Sequence, residues 1–428
     1  MTAQDQKTAE EGGTPSQDEQ RIEYRMDGGV QAWLQVLGSW ILFANTWGLT
    51  NSFGIFETFY ADNLLKTSSP SSVSWIGSIQ LFLTMLVGVI GGWLLDAGYL
   101  QTLLIVGSFL EVIGMFMTSL CTKYWQVLVA QGICVGLGSG LLGLTSVSVI
   151  PMYFSKKRMI AMGIAATGSS LAGIIYPIML RRLFLSIGFP WAVRSLAFLM
   201  MGCLVICCAI MRLRPRARQL TALIEFKHFR DPAYMAFVAA FTLMISSVYV
   251  PFFYIQKYAI QLNVNDDMAF YLLSMMNASS LIGRLGPNWL ADYFGGLQVM
   301  APACFLSAIV VFFMRFTHNL PGLIVIALLY GLISGGMVSL PPAIIANLNS
   351  KPSEIGTRMG LAYTIAAFGA LIGNPIAGAC LRSSGTSEPD VQREFQGVWI
   401  FAGAFMLLST ACVVLTRHLR PGAEGAHE

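Results

Sequence analysis

The chain has 428 residues, 55% of them hydrophobic and only 11% charged, and its mean hydropathy is +0.64. A soluble chain of this length would form two or three domains and carry about 25% charged residues. Too few charges are present to cover that surface, which excludes an ordinary soluble enzyme, a nucleic-acid binder and a disordered protein. The formal net charge of +4 implies no polymeric partner of either sign.

Residues 1–26 are polar and mixed in charge, and are expected to form a disordered cytosolic tail. Beyond them long apolar runs alternate with short polar breaks. Runs of about 20 apolar residues suit membrane-spanning helices, whereas barrel strands would be half as long and alternating. Twelve such spans are predicted: 31–58, 74–95, 101–120, 125–150, 159–180, 191–211, 233–256, 268–291, 297–316, 321–346, 358–380 and 396–416. The fold class is therefore an all-α membrane protein. Lys and Arg set the orientation. With the N-terminus inside, 16 of the 26 basic residues fall in inside segments, 9 in outside segments, and Arg284 lies within a span. Both termini are thus expected in the cytosol. Arg181 and Arg182 count against this bias and are expected at the interface.

The most basic break, 212–232, divides the spans six and six. It is expected to be a cytosolic linker between bundles 27–211 and 233–417, with a cytosolic tail over 418–428. The halves echo one another at offsets of 195–201 residues. Trp93-Leu94-Leu95-Asp96 recurs as Trp289-Leu290-Ala291-Asp292, and Gly136-Leu137-x-Ser139-Gly140 as Gly331-Leu332-x-Ser334-Gly335. Arg158-Met159 recurs as Arg358-Met359, and Gly168…Gly173…Pro177 as Gly369…Gly373…Pro375. This duplication resembles the two six-helix repeats of the major facilitator superfamily.

The loop Gly92-Trp93-Leu94-Leu95-Asp96-Ala97-Gly98 is similar to that superfamily's short cytosolic loop, without its usual basic residues; Asn288 to Gly295 is its counterpart. A carboxylate there can cap a neighbouring helix N-terminus, which makes Asp96 and Asp292 gating candidates. Asp27-Gly28-Gly29 with Trp33, Asn51-Ser52-Phe53-Gly54, Asn277-x-x-Ser280-x-x-Gly283-Arg284 and Gly173-x-x-x-Pro177 resemble the fungal branch of the monocarboxylate porter family over roughly residues 27–418. That branch includes carboxylate, vitamin and secondary-metabolite transporters. The resemblance implies secondary transport of a small organic molecule by alternating access. Family members that move lactate with a proton carry a lysine in span 1 and an aspartate in span 8; Asn51 and Ser280 stand there instead. This puts that form of proton symport in doubt and favours a larger, more varied cargo.

Arg284 is the principal site candidate. A charge inside a span is expensive and faces a cavity or a partner. It either anchors an anionic or polar substrate through charge-assisted hydrogen bonds or locks one conformation by pairing within the protein. Asn45, Asn51, Tyr249, Tyr254, Asn277, Tyr363 and Asn374 are further substrate-binding candidates, because the implied fold arranges their spans around a centre. Tyrosines equally serve packing. Glu111, inside span 3, is the candidate for proton coupling, with a protonated or paired carboxyl as the bland alternative. Pro251 and Pro375 are candidate kinks.

The cysteines lie mostly in apolar runs without regular spacing, so neither a disulfide framework nor a metal site is expected, and no cofactor. No catalytic or phosphate-binding motif marks an enzyme. The expected partners are a small-molecule substrate and the lipid bilayer, with protons a candidate coupling ion. The expected location is the plasma membrane. Export of a secondary metabolite competes with nutrient uptake, and a non-transporting sensor is the lesser alternative.

Overall fold

The computed structural model describes residues 28–66, 70–213, 229–348, 355–381 and 388–420. The expected tail over 1–26, residues 421–428 of the tail expected over 418–428, and most of the basic linker lie outside the described residues. The rest forms twelve helical rods. The first, α1, comprises Val30–Asn45, Trp47–Asn51, Phe53–Phe59 and Tyr60–Leu64. Then come α2 (Pro70–Leu86 and Gly88–Asp96), α3 (Leu100–Thr118), α4 (Tyr124–Met152), α5 (Arg158–Ser186) and α6 (Gly188–Ile210). The second half holds α7 (Pro232–Gln261), α8 (Asp266–Phe294), α9 (Gly296–Met314), α10 (Leu320–Asn347), α11 (Ile355–Ala379) and α12 (Glu388–Leu419).

Among the described residues, ten of these rods are long and apolar enough to cross a membrane. The two that fall short are α1 and α8, and each has a local cause. Thr46, Thr50 and Ser52 turn their hydroxyls back onto the carbonyls of Leu42, Thr46 and Gly48, a pattern that bends helices. The α1 rod is accordingly broken at Thr46 and Ser52 into pieces shorter than a span. In α8 the length suffices at 29 residues, but Asn277, Arg284 and Asn288 lower its apolar content. Of the two expected proline kinks, α7 breaks at Tyr249, two residues before Pro251, while α11 runs on through Pro375.

Packing repeats with the sequence. Gly136 and Gly140 of α4 press on the Gln80 and Leu83 backbone of α2, and Gly331 and Gly335 of α10 press on Met276 and Ser280 of α8. Gly168 of α5 meets Trp40 of α1, and Gly369 of α11 meets Thr242 of α7. In each case a Cβ would collide with the neighbour's backbone, so glycine sets how closely the rods approach. The halves join along two seams, α5 against α8 and α2 against α11. The start of α1 and the end of α12 lie at one face, linked through Trp33 against Phe154, Arg158 to Asn347 and Arg420 to Leu348. There Arg212 N–H donates to Gln35 near the start of α1 (2.9 Å), and Arg420, beyond α12, reaches the Leu348 carbonyl at the end of α10.

Candidate functional site

The α5–α8 seam is shaped by what α5 lacks. A Cβ on Gly163 would strike the Arg284 carbonyl and Asn288, and one on Gly173 would lie 2.9 Å from Asn277 Oδ1 and 3.3 Å from Asn51 Cβ. Two bare positions on α5 thus admit the polar stripe of α8, Asn277, Ser280, Arg284 and Asn288, whose spacing of three and four residues keeps it on one helix face. At the glycine nearest the middle, Asn51 of α1 and Asn277 of α8 converge.

Arg284 retains only 5% of its surface. Its Nε donates to Ser170 Oγ of α5 at 2.8 Å and to Ser280 Oγ at 3.4 Å, and the two hydroxyls are 3.2 Å apart. Its Nη1 and Nη2 donate to no group among the described residues. The guanidinium is therefore held by one edge, and the fork suited to a carboxylate or phosphate is open. Asn288, fully buried one turn further on, donates to the Arg284 carbonyl (2.6 Å) and to Ser339 Oγ of α10 (2.5 Å), fixing α8 at this level. Tyr249, where α7 breaks, lies within electrostatic reach of Arg284.

The remaining candidates separate. Tyr363 of α11 packs edge-on against Trp47 of α1 (ring centroids 6.3 Å) and against Phe241 of α7 (5.1 Å), bridging the halves. Asn45 donates to the Ile41 carbonyl of its own helix at 2.8 Å, and its Oδ1 has no partner among the described residues. Tyr254 O–H donates to the Asn374 carbonyl at 3.4 Å, so these two meet within the second half rather than at Arg284. Glu111 is fully buried; Oε1 accepts from Ser139 Oγ of α4 at 2.6 Å and Oε2 has no partner among the described residues. It sits in the α3–α4 contact, within electrostatic reach of Tyr176 of α5.

At the face where α1 starts and α12 ends, each seam is bridged by a carboxylate. Asp292 at the end of α8 accepts from Met159 N–H and Ile160 N–H at the start of α5, both at 2.9 Å. Asp96 at the end of α2 accepts from Gly356 N–H (3.1 Å), Thr357 N–H (2.7 Å) and Thr357 Oγ (2.8 Å) at the start of α11. Helix N-termini offer unpaired N–H groups and partial positive charge, so a carboxylate is the fitting partner. At the opposite end of the α5–α8 seam Arg181 pairs with Asp267 and lies over the Phe270 ring at 4.7 Å.

The family model of the Major Facilitator Superfamily matches residues 30–288 and 285–428. The chain belongs to the major facilitator superfamily. Its members are transporters, and this chain is a multi-pass membrane transporter of small organic molecules that works by alternating access between its two halves. It is 41% identical to an MFS-type transporter, dbaD, of Emericella nidulans over 90% of this chain and 85% of that protein. It is 37% identical to the aspyridones efflux protein apdF of the same organism, over 89% of this chain and 76% of that protein. Among solved structures, the transporter FucP in its outward conformation covers 90% of this chain and 98% of its own, with a TM-score of 0.68 at 14% identity, a likeness of fold.

Sequence reasoning named Arg284 but missed what holds it. Ser170 carries no signal by itself, since serine is common in these helices. The polar stripe on α8 did carry one, and following its spacing would have added Ser280 and Asn288. Trp47, whose buried Nε1 finds no acceptor among the described residues, was also missed.

Proposed function

We propose that this transporter exports a secondary metabolite carrying an acidic group, with Arg284 as the anchor for that group. One observation carries the reading: Arg284 is buried at the seam between the halves, fixed through Nε, with its bidentate fork unoccupied by any described carboxylate. An arginine serving only as a lock would have used that fork within the protein. Asn277 and Asn51 supply neutral polar contacts on the same seam. Tyr363 and Trp47 supply aromatic surface for a ring larger than a short carboxylate. The direction is supported by the 37% identical apdF, an aspyridones efflux protein.

In this reading the chain sits in the plasma membrane with both termini in the cytosol, as the excess of basic residues in the inside segments supports. Asp96 and Asp292 then close the cytosolic gate. The Asn51-Ser52-Phe53-Gly54 run and the α8 motif support membership of the monocarboxylate porter branch. Tyr254, Asn374 and Asn45 are at most indirect contributors, because their hydrogen bonds lie within their own half.

The test compares metabolites in cells and medium for strains expressing the intact protein or Arg284→Ala at equal membrane level. A compound enriched in the medium only with the intact protein supports export. A compound drawn into the cell instead would overturn the direction while keeping the site. Arg284→Lys should weaken transport with folding intact, since an ammonium loses the bidentate fork.

A further inference from the structure

Charge accounting around Arg284 leads further. The rods packed most heavily against α8 are α5, α7, α9 and α10, and none contains an Asp or Glu anywhere along its length. The α1 rod, whose Asn51 meets Asn277 at Gly173, carries its carboxylates beyond Asn51 towards its end, where Glu57 accepts from Ser74 Oγ of α2. The carboxylates of α8 itself stand at its ends: Asp266 and Asp267 at the start, Asp292 at the close. Asp292 is spent on the start of α5, and Asp267 on Arg181. The basic groups of the neighbouring rods, Arg158, Arg181 and Arg182 on α5 and Lys257 on α7, lie towards rod ends. Near the middle, the titratable neighbours are the phenols Tyr176, Tyr249 and Tyr330 and the thiol Cys304, all neutral at physiological pH. Glu111 is directed at Ser139 between α3 and α4, so its access to water does not change sides when the halves rock.

The seam therefore holds one uncompensated positive charge when empty and no net charge when a monoanion occupies the fork. We propose that this protein is a voltage-driven uniporter of organic monoanions, in which the return of the empty, positively charged carrier is the step that senses the membrane potential. The inference rests on the reading of Arg284 as the cargo's anchor. Rocking leaves the guanidinium in place and moves aqueous access from one side of it to the other, so the field across it relocates. An inside-negative potential draws the empty site toward inward access. There it is neutralised by the anion and returns outward without opposing the field. The driving force is the anion's own charge. At equilibrium about 100 mV favours the outer side about 50-fold for a monoanion. No co-transported proton is needed, which agrees with the absence of a carboxylate partner for Arg284 among the described residues.

The experiment needs no cargo. The purified full-length protein is reconstituted in a planar bilayer, voltage steps are applied without substrate, and the transient charge movement is integrated. Wild type should show a saturable movement of at most about one elementary charge per molecule. Arg284→Lys should keep it, Arg284→Gln should abolish it, and Glu111→Gln should leave it unchanged. No movement in wild type, an undiminished movement in Arg284→Gln, or its loss in Glu111→Gln would overturn the proposal. Should Arg284→Gln fail to fold, wild type still decides. A movement constant from about pH 5.5 to 8 is that of an arginine, and one that titrates away belongs to another group. Export without charge movement would sink this inference and spare the export reading. Charge movement lost in Arg284→Gln, with no metabolite exported, would do the reverse.

Discussion

Asp96→Asn combined with Asp292→Asn tests the closure of the terminal face most directly. Each substitution keeps the shape of the side chain and one accepting oxygen, and removes the charge. At Asp292 the carboxylate spans two backbone N–H groups at 2.9 Å; at Asp96 it takes two N–H groups and the Thr357 hydroxyl, at 2.7–3.1 Å. A carboxylate against a helix N-terminus contributes up to about 2 kcal/mol in partly buried geometry, and charge-assisted bonds are roughly twice as strong as neutral ones. A loss of about 1–2 kcal/mol per site shifts the balance between closed and open faces by about 5–30-fold. The two carboxylates serve different helix pairs, so their losses should add. Spin labels at Thr102 of α3 and Gln298 of α9, both exposed at this face and equivalent in the two repeats, report the separation of the halves. Pulsed electron–electron resonance should show a longer-distance population that grows from wild type through each single variant to the double. An unchanged distance distribution in the double variant refutes the reasoning, because the carboxylates would then be bystanders to a closure held by packing.

Three further outcomes follow from the packing. Gly283→Ala should lower folded yield and melting temperature, since its Cβ would run into the Leu332 carbonyl of α10, whereas Gly286→Ala, with open space around it, should be neutral or stabilising by up to about 1 kcal/mol; equal effects at the two glycines would contradict the account. Ser139→Ala removes the hydrogen-bond partner of buried Glu111 and should destabilise by about 1–3 kcal/mol, with Glu111→Gln in the same background recovering part of it in a thermal-shift measurement. Arg181→Ala should cost no more than about 1 kcal/mol, because its pair with Asp267 is exposed, and a charge-swapped pair should restore wild-type melting.

What could be read in advance divides along physical lines. Spans and duplication were legible because hydropathy and glycine spacing are periodic, and the glycines repeat for a reason: each half must bring α4 onto α2, or α10 onto α8, at the same depth. The contacts of Asp96 and Asp292 with helix N-termini were legible because a helix N-terminus imposes a chemistry on its partner, and a loop aspartate advertises it. The count of apolar spans was less so. The α1 and α8 rods fall short, one through its hydroxyl-bent breaks and the other through the polar stripe that forms the site. The tyrosines were not legible at all. Tyr363 crosses to Trp47 of the other half while Tyr254 stays with Asn374 in its own, and nothing in the identity or spacing of a tyrosine separates those fates.

Arg284 shows where the line falls. Its cost in a membrane is visible from sequence, so its importance follows; its role does not, because role depends on which of its nitrogens are used. Ser170 takes Nε from a helix more than a hundred residues away. Had a carboxylate stood at position 280, the same arginine would have been neutralised within its own helix, and the carrier would have had to bring a proton to release an anion. With serine there, Nε is steadied without being discharged. One position thus separates a proton-coupled site from a voltage-driven one, and a Ser280→Asp variant should move the protein from the second class toward the first. Its charge movement should fall at neutral pH and return on acidification as the new carboxylate protonates. A movement indifferent to both the substitution and pH would show that residue 280 does not set the charge of the site.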